Sequence, residues 1–401
     1  MSSDLAYRFN PNVANSAAPP VPLAAQWASL YPTPSELLNL AQGVPGSPPP
    51  PEFLERLGEA ARDPSTTGYG ALRGEESLRR ALAKDVQRVY GGDVSMEDVT
   101  ITAGCNLAFY ATMLTLCAPG DSVLVPTPYY FNHHMTLSQL SLSLIPLPCH
   151  APHFLPSVDL ARSLITSRTK AIVLVTPNNP TGALYPRELL KEFAELAKEK
   201  KVALVLDETY RDFVDGRPHD LFVDPEWREY LIQLFSFSKS YAIPGHRLGS
   251  LTSSPLFASH LSKTLDCLQI CPSLPAQRVL AEWAMEETRE WREGTRVELE
   301  RRQKVFREGL ERVEGWEVET GMGYFAYVKH PFEGTSSEEV AKRLASEVGV
   351  ITLPGTFFSM PFVDVREDRF IRFSIANVST EILRQVPERL KKLNEIWSTL
   401  S

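Results

Sequence analysis

Cysteine is scarce in this 401-residue chain, with only Cys105, Cys117, Cys149, Cys267 and Cys271. An odd count without paired ligand spacing argues against a disulfide framework and against a cysteine-built metal site. Cys267 and Cys271, four residues apart, are expected to share one helix face. The eight histidines show no metal-ligand spacing either, and the pair His133-His134 reads as a loop feature. Positive charge is in deficit: 41 Lys and Arg stand against 49 Asp and Glu, for a net charge of −8. Nothing therefore favours nucleic acid or an anionic membrane surface as a partner. No window approaches the ~18 consecutive apolar residues of a membrane-spanning helix. The opening residues 1–8 lack the basic-then-apolar form of a secretory signal, so the expected address is the cytoplasm.

Proline, by contrast, is abundant, with 32 residues. The clusters at 18–22 and 48–51 are expected to be extended and to refuse helix, which makes residues 1 to about 22 an arm. Between residues 51 and 278, apolar β-branched runs alternate with helical patterns such as 188–199, the signature of a mainly parallel sheet with crossover helices. Residues 281–313 carry dense charge with Trp, Leu and Val at helical spacing, and predict one long exposed helix. Short strands are expected at 324–329, 349–353 and 370–375. The reading is α/β: residues 1–45 form an arm and a segment joining a small α+β domain, 46–285 a large domain, and 286–401 the linking helix with the small domain.

Three apolar runs end in chemistry. Residues 230–237 lead into Ser236-Phe237-Ser238-Lys239, with Arg247 eight residues beyond the lysine. A lysine leaving a buried strand needs a solvent exit or a covalent role, and Schiff-base formation is such a role. Residues 202–206 end in Asp207-Glu208-Thr209-Tyr210, an acid with a phenol three residues on. Residues 171–175 end in Thr176-Pro177-Asn178-Asn179-Pro180, a tight turn presenting an amide. Ser236, Ser238 and Arg247 suit a phosphate, since a planar guanidinium fork and small hydroxyls complete an anion site. Gly245 is expected to allow close backbone approach. Residues 99–108 read as a strand, a glycine turn at Gly104 and a helix start at Cys105 and Asn106, whose free N–H groups also suit a phosphate; Asn106 is equally a candidate N-cap.

In this order the motifs resemble the class I/II aminotransferases, the aspartate-aminotransferase-like proteins of pyridoxal-phosphate fold type I, over residues 38–395. The resemblance implies a seven-stranded, mainly parallel sheet and pyridoxal 5'-phosphate as cofactor, with no metal. It makes Lys239 the residue that carries the cofactor as a Schiff base and Asp207 the partner of its pyridine nitrogen. Tyr210 and Asn179 become donors to the ring oxygen, and Gly104, Cys105, Asn106, Ser236, Ser238 and Arg247 the phosphate site. Tyr130, preferred to Tyr129, matches the aromatic that stacks on the ring, and Gly43 the substrate-side glycine. Tyr69 matches a tyrosine that reaches the phosphate of a second subunit, which implies a homodimer. Arg372 matches the clamp on the substrate α-carboxylate, with Arg369 as the alternative on the opposite strand face.

Amino-acid and 2-oxo-acid substrates follow from the resemblance, but the donor does not. Dicarboxylate-specific members carry an arginine in the segment after the lysine. The corresponding Ile270-Cys271-Pro272-Ser273-Leu274-Pro275-Ala276-Gln277 has none, and looks more like the Cys-Pro-Thr segment of kynurenine and glutamine transaminases. With Tyr129, Tyr130, Phe131 and Leu274 nearby, the expected donor is aromatic or otherwise apolar. A lyase or a carbon–carbon bond-forming synthase on the same frame is the alternative, and a non-catalytic binding module is a third reading.

Overall fold

The computed structural model describes residues 7–360 and 368–399. Its centre is a seven-stranded sheet in the order Val99–Thr102, Gly249–Thr252, Leu231–Ser236, Ala203–Asp207, Thr169–Val175, Ser122–Thr127, Ser143–Pro148. All neighbours run parallel except Gly249–Thr252, which is antiparallel to both of its partners. Along Ala203–Asp207, Leu204 and Leu206 pack into one apolar cluster while Val205 packs into another on the opposite face. Burial on both faces explains why these strands read as unbroken apolar runs instead of alternating ones. The helix Glu76–Tyr90, which precedes the sheet's first strand, and crossover helices such as Cys105–Leu116 and Arg187–Lys200 supply the covering layers.

A smaller antiparallel sheet, ordered Leu353–Pro354, Phe370–Ser374, Phe325–Lys329, Glu317–Met322, has its own core around Ile371, Phe373, Val328 and Leu390. Leu38–Asn39 pairs in parallel with Val350–Ile351 and so pins the N-terminal segment beside that core.

Several local expectations fail for identifiable reasons. The proline clusters do not refuse helix: Pro20 and Pro51 open the helices Pro20–Ala28 and Pro51–Arg62, at first-turn positions where the missing N–H has no helical partner to lose. The single long helix is interrupted, running as Leu280–Ala284, Met285–Glu287 and Arg289–Leu310. Thr288 turns its hydroxyl back to the Ala284 carbonyl at 2.6 Å at that break. Cys267 lies in Pro255–Leu268, but Cys271 falls beyond its end, so the two share no helix face.

Candidate active site

The carboxyl ends of the parallel strands converge on one cleft of about 360 Å³, where open α/β sheets present their chemistry. Leu231–Ser236 is buried throughout, and the chain then makes one short helical turn, Phe237–Ser240, which carries Lys239. The Lys239 Nζ donates to the Gly43 carbonyl at 2.7 Å. Burial, then the charges of Arg247 and Arg372, lower its pKa to about 8. An amine so placed has its free base within reach of neutral pH.

One strand over, Asp207 ends Ala203–Asp207. Burial alone would raise its carboxyl, but His133 Nε2 at 3.2 Å and Thr209, through its Oγ1 at 2.7 Å and its N–H at 3.1 Å, outweigh that and hold the pKa below the ordinary value. The group is therefore a buried anion facing the cleft. The Tyr210 phenol is pushed well above its ordinary pKa by burial and by Tyr130 beside it, so it stays a donor. Tyr130 is raised by burial to about 12.

Arg372, on Phe370–Ser374, is only 2% exposed. Its Nη1 donates to Asn179 Oδ1 at 2.9 Å and its Nη2 to the Ala41 carbonyl, while Phe325 and Phe358 flank the guanidinium at 4.6 and 4.9 Å. Its Nε is buried without a partner among the described residues. Arg369 faces the other way, onto the His330 carbonyl and Glu333.

At the other end of the cleft, Gly104 sits at φ +94° just before the helix Cys105–Leu116, whose first turn has no capping side chain. A Cβ on Gly104 would lie 2.2 Å from Arg247 Nη2, and one on Gly249 would lie 2.5 Å from the Cys105 nitrogen. Only glycine lets the arginine and the neighbouring strand press against this helix start. Gly245 has open space around it, so the close approach belongs to Gly104 and Gly249. Asn106 lies inside the helix, and the capping position is Gly104.

Of the residues singled out from the sequence, Gly43, Cys105, Asn106, Tyr130, Asn179, Asp207, Tyr210, Ser236, Ser238, Lys239, Arg247 and Arg372 line this one cleft. Gly104 shapes its edge from behind. Tyr69 does not line it and is 83% exposed. His133 was missed as a partner of Asp207: it belongs to the helix Phe131–Gln139, not to a loop, and is buried against Phe109 at 3.8 Å between ring centres. The signal available was its place two residues into a helix that follows a strand end. Pro19, Pro20 and Val21 of the arm also line the cleft.

The family described as aminotransferase class I and II matches residues 35–390. The chain belongs to that family. It is 32% identical over 381 residues to the aromatic aminotransferase ISS1 of Arabidopsis thaliana, covering 93% of each chain. It is 30% identical over 369 residues to an aspartate aminotransferase of Sulfurisphaera tokodaii, covering 88% of this chain and 90% of that one. In three dimensions it superposes on an aspartate aminotransferase double mutant of Thermus thermophilus with a TM-score of 0.87 at 27% identity, covering 96% of this chain and all of the other. The protein is thus a pyridoxal-phosphate-dependent aminotransferase of fold type I.

The donor set fits that cofactor. An amine of lowered pKa, a buried carboxylate and a protonated phenol meet in one cleft with the capless helix start, and the Gly104 cradle leaves room for Arg247 beside it. The Ser236 hydroxyl makes no capping bond of its own. Among the described residues no group of His, Cys, Asp and Glu could hold a metal ion, and no helix is long and apolar enough to cross a membrane.

Proposed function

We propose that this aminotransferase takes its amino group from a neutral amino acid with an aromatic or long apolar side chain, and passes it to a 2-oxo acid in a ping-pong cycle. The observation that carries the reading is the lining of the cleft. Its cations are Lys239, Arg247 and Arg372, and its wall also includes the apolar Pro19, Pro20, Val21, Val44 and Phe131 with the uncharged Gln42 and Asn132. Arg278, just after the arginine-free stretch 270–277, is held by Asp63 and Ser65. A donor carboxylate on the side chain would be desolvated without a partner there, which costs several kcal/mol. The relatives named above include both aromatic and aspartate aminotransferases, so their names alone do not choose the donor.

In this reading Lys239 anchors the cofactor, and Ser236, Ser238, Arg247 and the N–H groups of Cys105 and Asn106 hold its phosphate. The bound cofactor supplies an electron-withdrawing ring that accepts the electron pair when the substrate Cα–H bond breaks. Arg372 clamps the α-carboxylate and is itself oriented by Asn179. Once the donor's amine has displaced it from the cofactor, the free Lys239 Nζ would take the proton from Cα and deliver it to the cofactor carbon it had been bound to, which leaves the base ready for the reverse transfer. Asp207 holds the ring-nitrogen proton, with His133 and Thr209 keeping the carboxylate ionised. Tyr210 donates to the ring oxygen, and Tyr130 covers the ring face. In this reading a single clamp serves donor and acceptor in turn, which supports a ping-pong order.

A second copy completes the proposal. Tyr69, Leu268 and Ile270 are exposed, on two segments joined by the bond from Gly70 N–H to Cys271 Sγ at 3.3 Å. These exposed apolar side chains support a homodimer in which Tyr69 serves the partner's phosphate site. The five free cysteines fit a reducing compartment and support a cytoplasmic address. The deciding experiment is a half-reaction screen of amino acids against the holoenzyme, followed by its absorption change. Phenylalanine, tyrosine and leucine should react with kcat/KM above that of aspartate; a preference for aspartate overturns the donor assignment, and ammonia released without an acceptor marks a lyase instead.

A further inference from the structure

A buried polar network lies behind the turn that carries Asp207 and Tyr210. Glu208 stands between them in sequence, yet it does not line the cleft and is 0% exposed. Three donors from three segments meet on its Oε2: Tyr90 Oη at 2.9 Å, from the end of the helix Glu76–Tyr90, His219 Nε2 at 3.2 Å, and Gln233 Nε2 from the strand Leu231–Ser236. The Leu221 N–H can only donate, so His219 Nδ1 accepts from it at 3.2 Å and Nε2 carries the proton given to Glu208. Burial alone would raise the Glu208 carboxyl, but His219, Gln233 and Tyr90 outweigh that and hold its pKa below the ordinary value.

Arg211 joins the same support. Its N–H closes a turn onto the Glu208 carbonyl at 3.0 Å, and its guanidinium, buried 4.0 Å over the Phe235 ring, donates to Asp85. Asp85 and Tyr90 belong to one helix, so both ends of the turn 208–211 are tied to it. Asp207, Thr209 and Tyr210 instead line the cleft. Asp207 is steadied there by His133 and Thr209, but Tyr210 has no such partner. Its hydroxyl makes no hydrogen bond among the described residues, and its ring packs against Tyr324 at 5.0 Å and Phe325 at 5.3 Å between ring centres. The backbone of the turn therefore decides where that phenol stands.

We infer that Glu208 is a positioning residue for the reaction and acts through Tyr210: together with Arg211 it fixes the turn that aims the phenol at the cofactor's ring oxygen. The inference rests on the reading above in which Tyr210 donates to that oxygen. Along Asp207-Glu208-Thr209-Tyr210-Arg211, the first acid and the phenol go to the cleft, while Glu208 and Arg211 go to the helix behind it. A donor on the ring oxygen draws negative charge off it and so weakens its hold on the neighbouring Schiff-base proton. A phenol that drifts away gives up that effect. Glu208→Leu leaves three buried donors without their acceptor and loosens the turn from the helix, whereas Glu208→Gln keeps the shape and one oxygen for the donors.

The test titrates the visible absorption band of the holoenzyme against pH, and measures kcat and KM per bound cofactor, in Tyr210→Phe, Glu208→Leu, Glu208→Gln and the double variant Tyr210→Phe/Glu208→Leu. Tyr210→Phe should raise the titration midpoint by about one unit, the scale of one hydrogen bond to a charged acceptor. Glu208→Leu should raise it in the same direction and lower kcat about tenfold, with KM for the donor within about threefold, because Arg372 is held by Asn179 and Ala41 and not by this turn. Glu208→Gln should recover most of both effects. In the Tyr210→Phe background Glu208→Leu should add less than about twofold, the mark of two residues acting as one unit. Tyr90→Phe, which deletes a single hydroxyl in the helix, should move the midpoint the same way by less, and it decides the matter if Glu208→Leu does not fold. A lowered melting temperature with midpoint and kcat unchanged, or full additivity with Tyr210→Phe, overturns the positioning role. A midpoint unmoved by Tyr210→Phe itself overturns the Tyr210 reading first, and the inference with it.

Discussion

Replacing Arg372 by alanine is the sharpest test of how the site holds its substrates. The guanidinium is 2% exposed, it is sandwiched between two phenylalanine rings, and its protein partners are neutral oxygens of Asn179 and Ala41. Burial pushes its pKa down to about 10, with the phenols of Tyr210, Tyr130 and Tyr327 acting the other way. A charge desolvated to that degree without a carboxylate is poised to take one from a ligand. Truncating one partner of such a pair costs about 2–5 kcal/mol, which is about 30- to 5,000-fold in kcat/KM. The loss should be of similar size for every donor and every 2-oxo acid, because all present the same carboxylate. Arg372→Lys should recover little, since an ammonium cannot make the planar two-point contact. Arg369→Ala, which removes only contacts to His330 and Glu333, should stay within about twofold. The assay is steady-state kinetics on a panel of donors together with the affinity of an unreactive carboxylate. An Arg372→Ala enzyme with unchanged kcat/KM, or one whose loss is confined to a single donor, would falsify the clamp.

Lys239→Ala should abolish turnover while the protein keeps its fold, and borohydride reduction of the wild-type holoenzyme should tag the peptide that carries Lys239; a tag on another lysine removes the assignment. In the cofactor-free protein, Lys239 should react with an amine-directed acylating reagent at a rate that climbs with pH through about 8, because the neutral amine predominates only above its pKa; a climb centred on the ordinary lysine value of about 10.5 contradicts the burial argument. Asp207→Ala should slow Cα deprotonation by two to four powers of ten, since loss of a buried charged partner is worth about 3–5 kcal/mol. His133→Phe keeps the ring stack on Phe109 but removes the bond to Asp207, and should move the same rate in the same direction by less; a single-turnover rate equal to wild type in both variants would exclude this acid from the reaction.

Much of this was legible because the chemistry hangs from strand ends. Doubly buried parallel strands read as mostly apolar runs, so Asp207 announces itself as the first polar residue after one, and Asn179 and Lys239 fall in the short polar segments that follow two others. What escaped depends on contacts between segments distant in sequence. The packing of Gly104 against Arg247 and of Gly249 against Cys105 is fixed only when the antiparallel strand Gly249–Thr252 slides in beside Val99–Thr102. His133 is one of two adjacent histidines, and no local pattern says which of them turns under Asp207; His134 sits instead near the Tyr129 hydroxyl at 3.4 Å. The strand Glu317–Met322 went unread because Glu317-Val318-Glu319-Thr320-Gly321-Met322 carries neither a clean alternation nor a full apolar run, and none of its residues is fully buried. Proline was misread as a breaker where it opens a helix, a distinction that rests on whether the preceding turn leaves an N–H to be satisfied.

The charge inventory of the cleft ties these residues into one design. Three cationic side chains, Lys239, Arg247 and Arg372, face one ionised acid, Asp207, and Asp207 is already served by His133 and Thr209. The depressed pKa of Lys239 has burial as its first cause and the two arginines as its second. Folding has therefore concentrated positive charge that the protein itself leaves uncompensated. In the proposed assignment two anions would relieve it: a phosphate at the Arg247 end, where the helix start and the glycine cradle lie, and a carboxylate at the Arg372 end. The lysine between them would then have a substrate Cα within reach of Nζ. Among the described residues that line the cleft a third anion on the substrate side chain would find no remaining cation, and this inventory supports the proposal that the donor's side chain carries no charge.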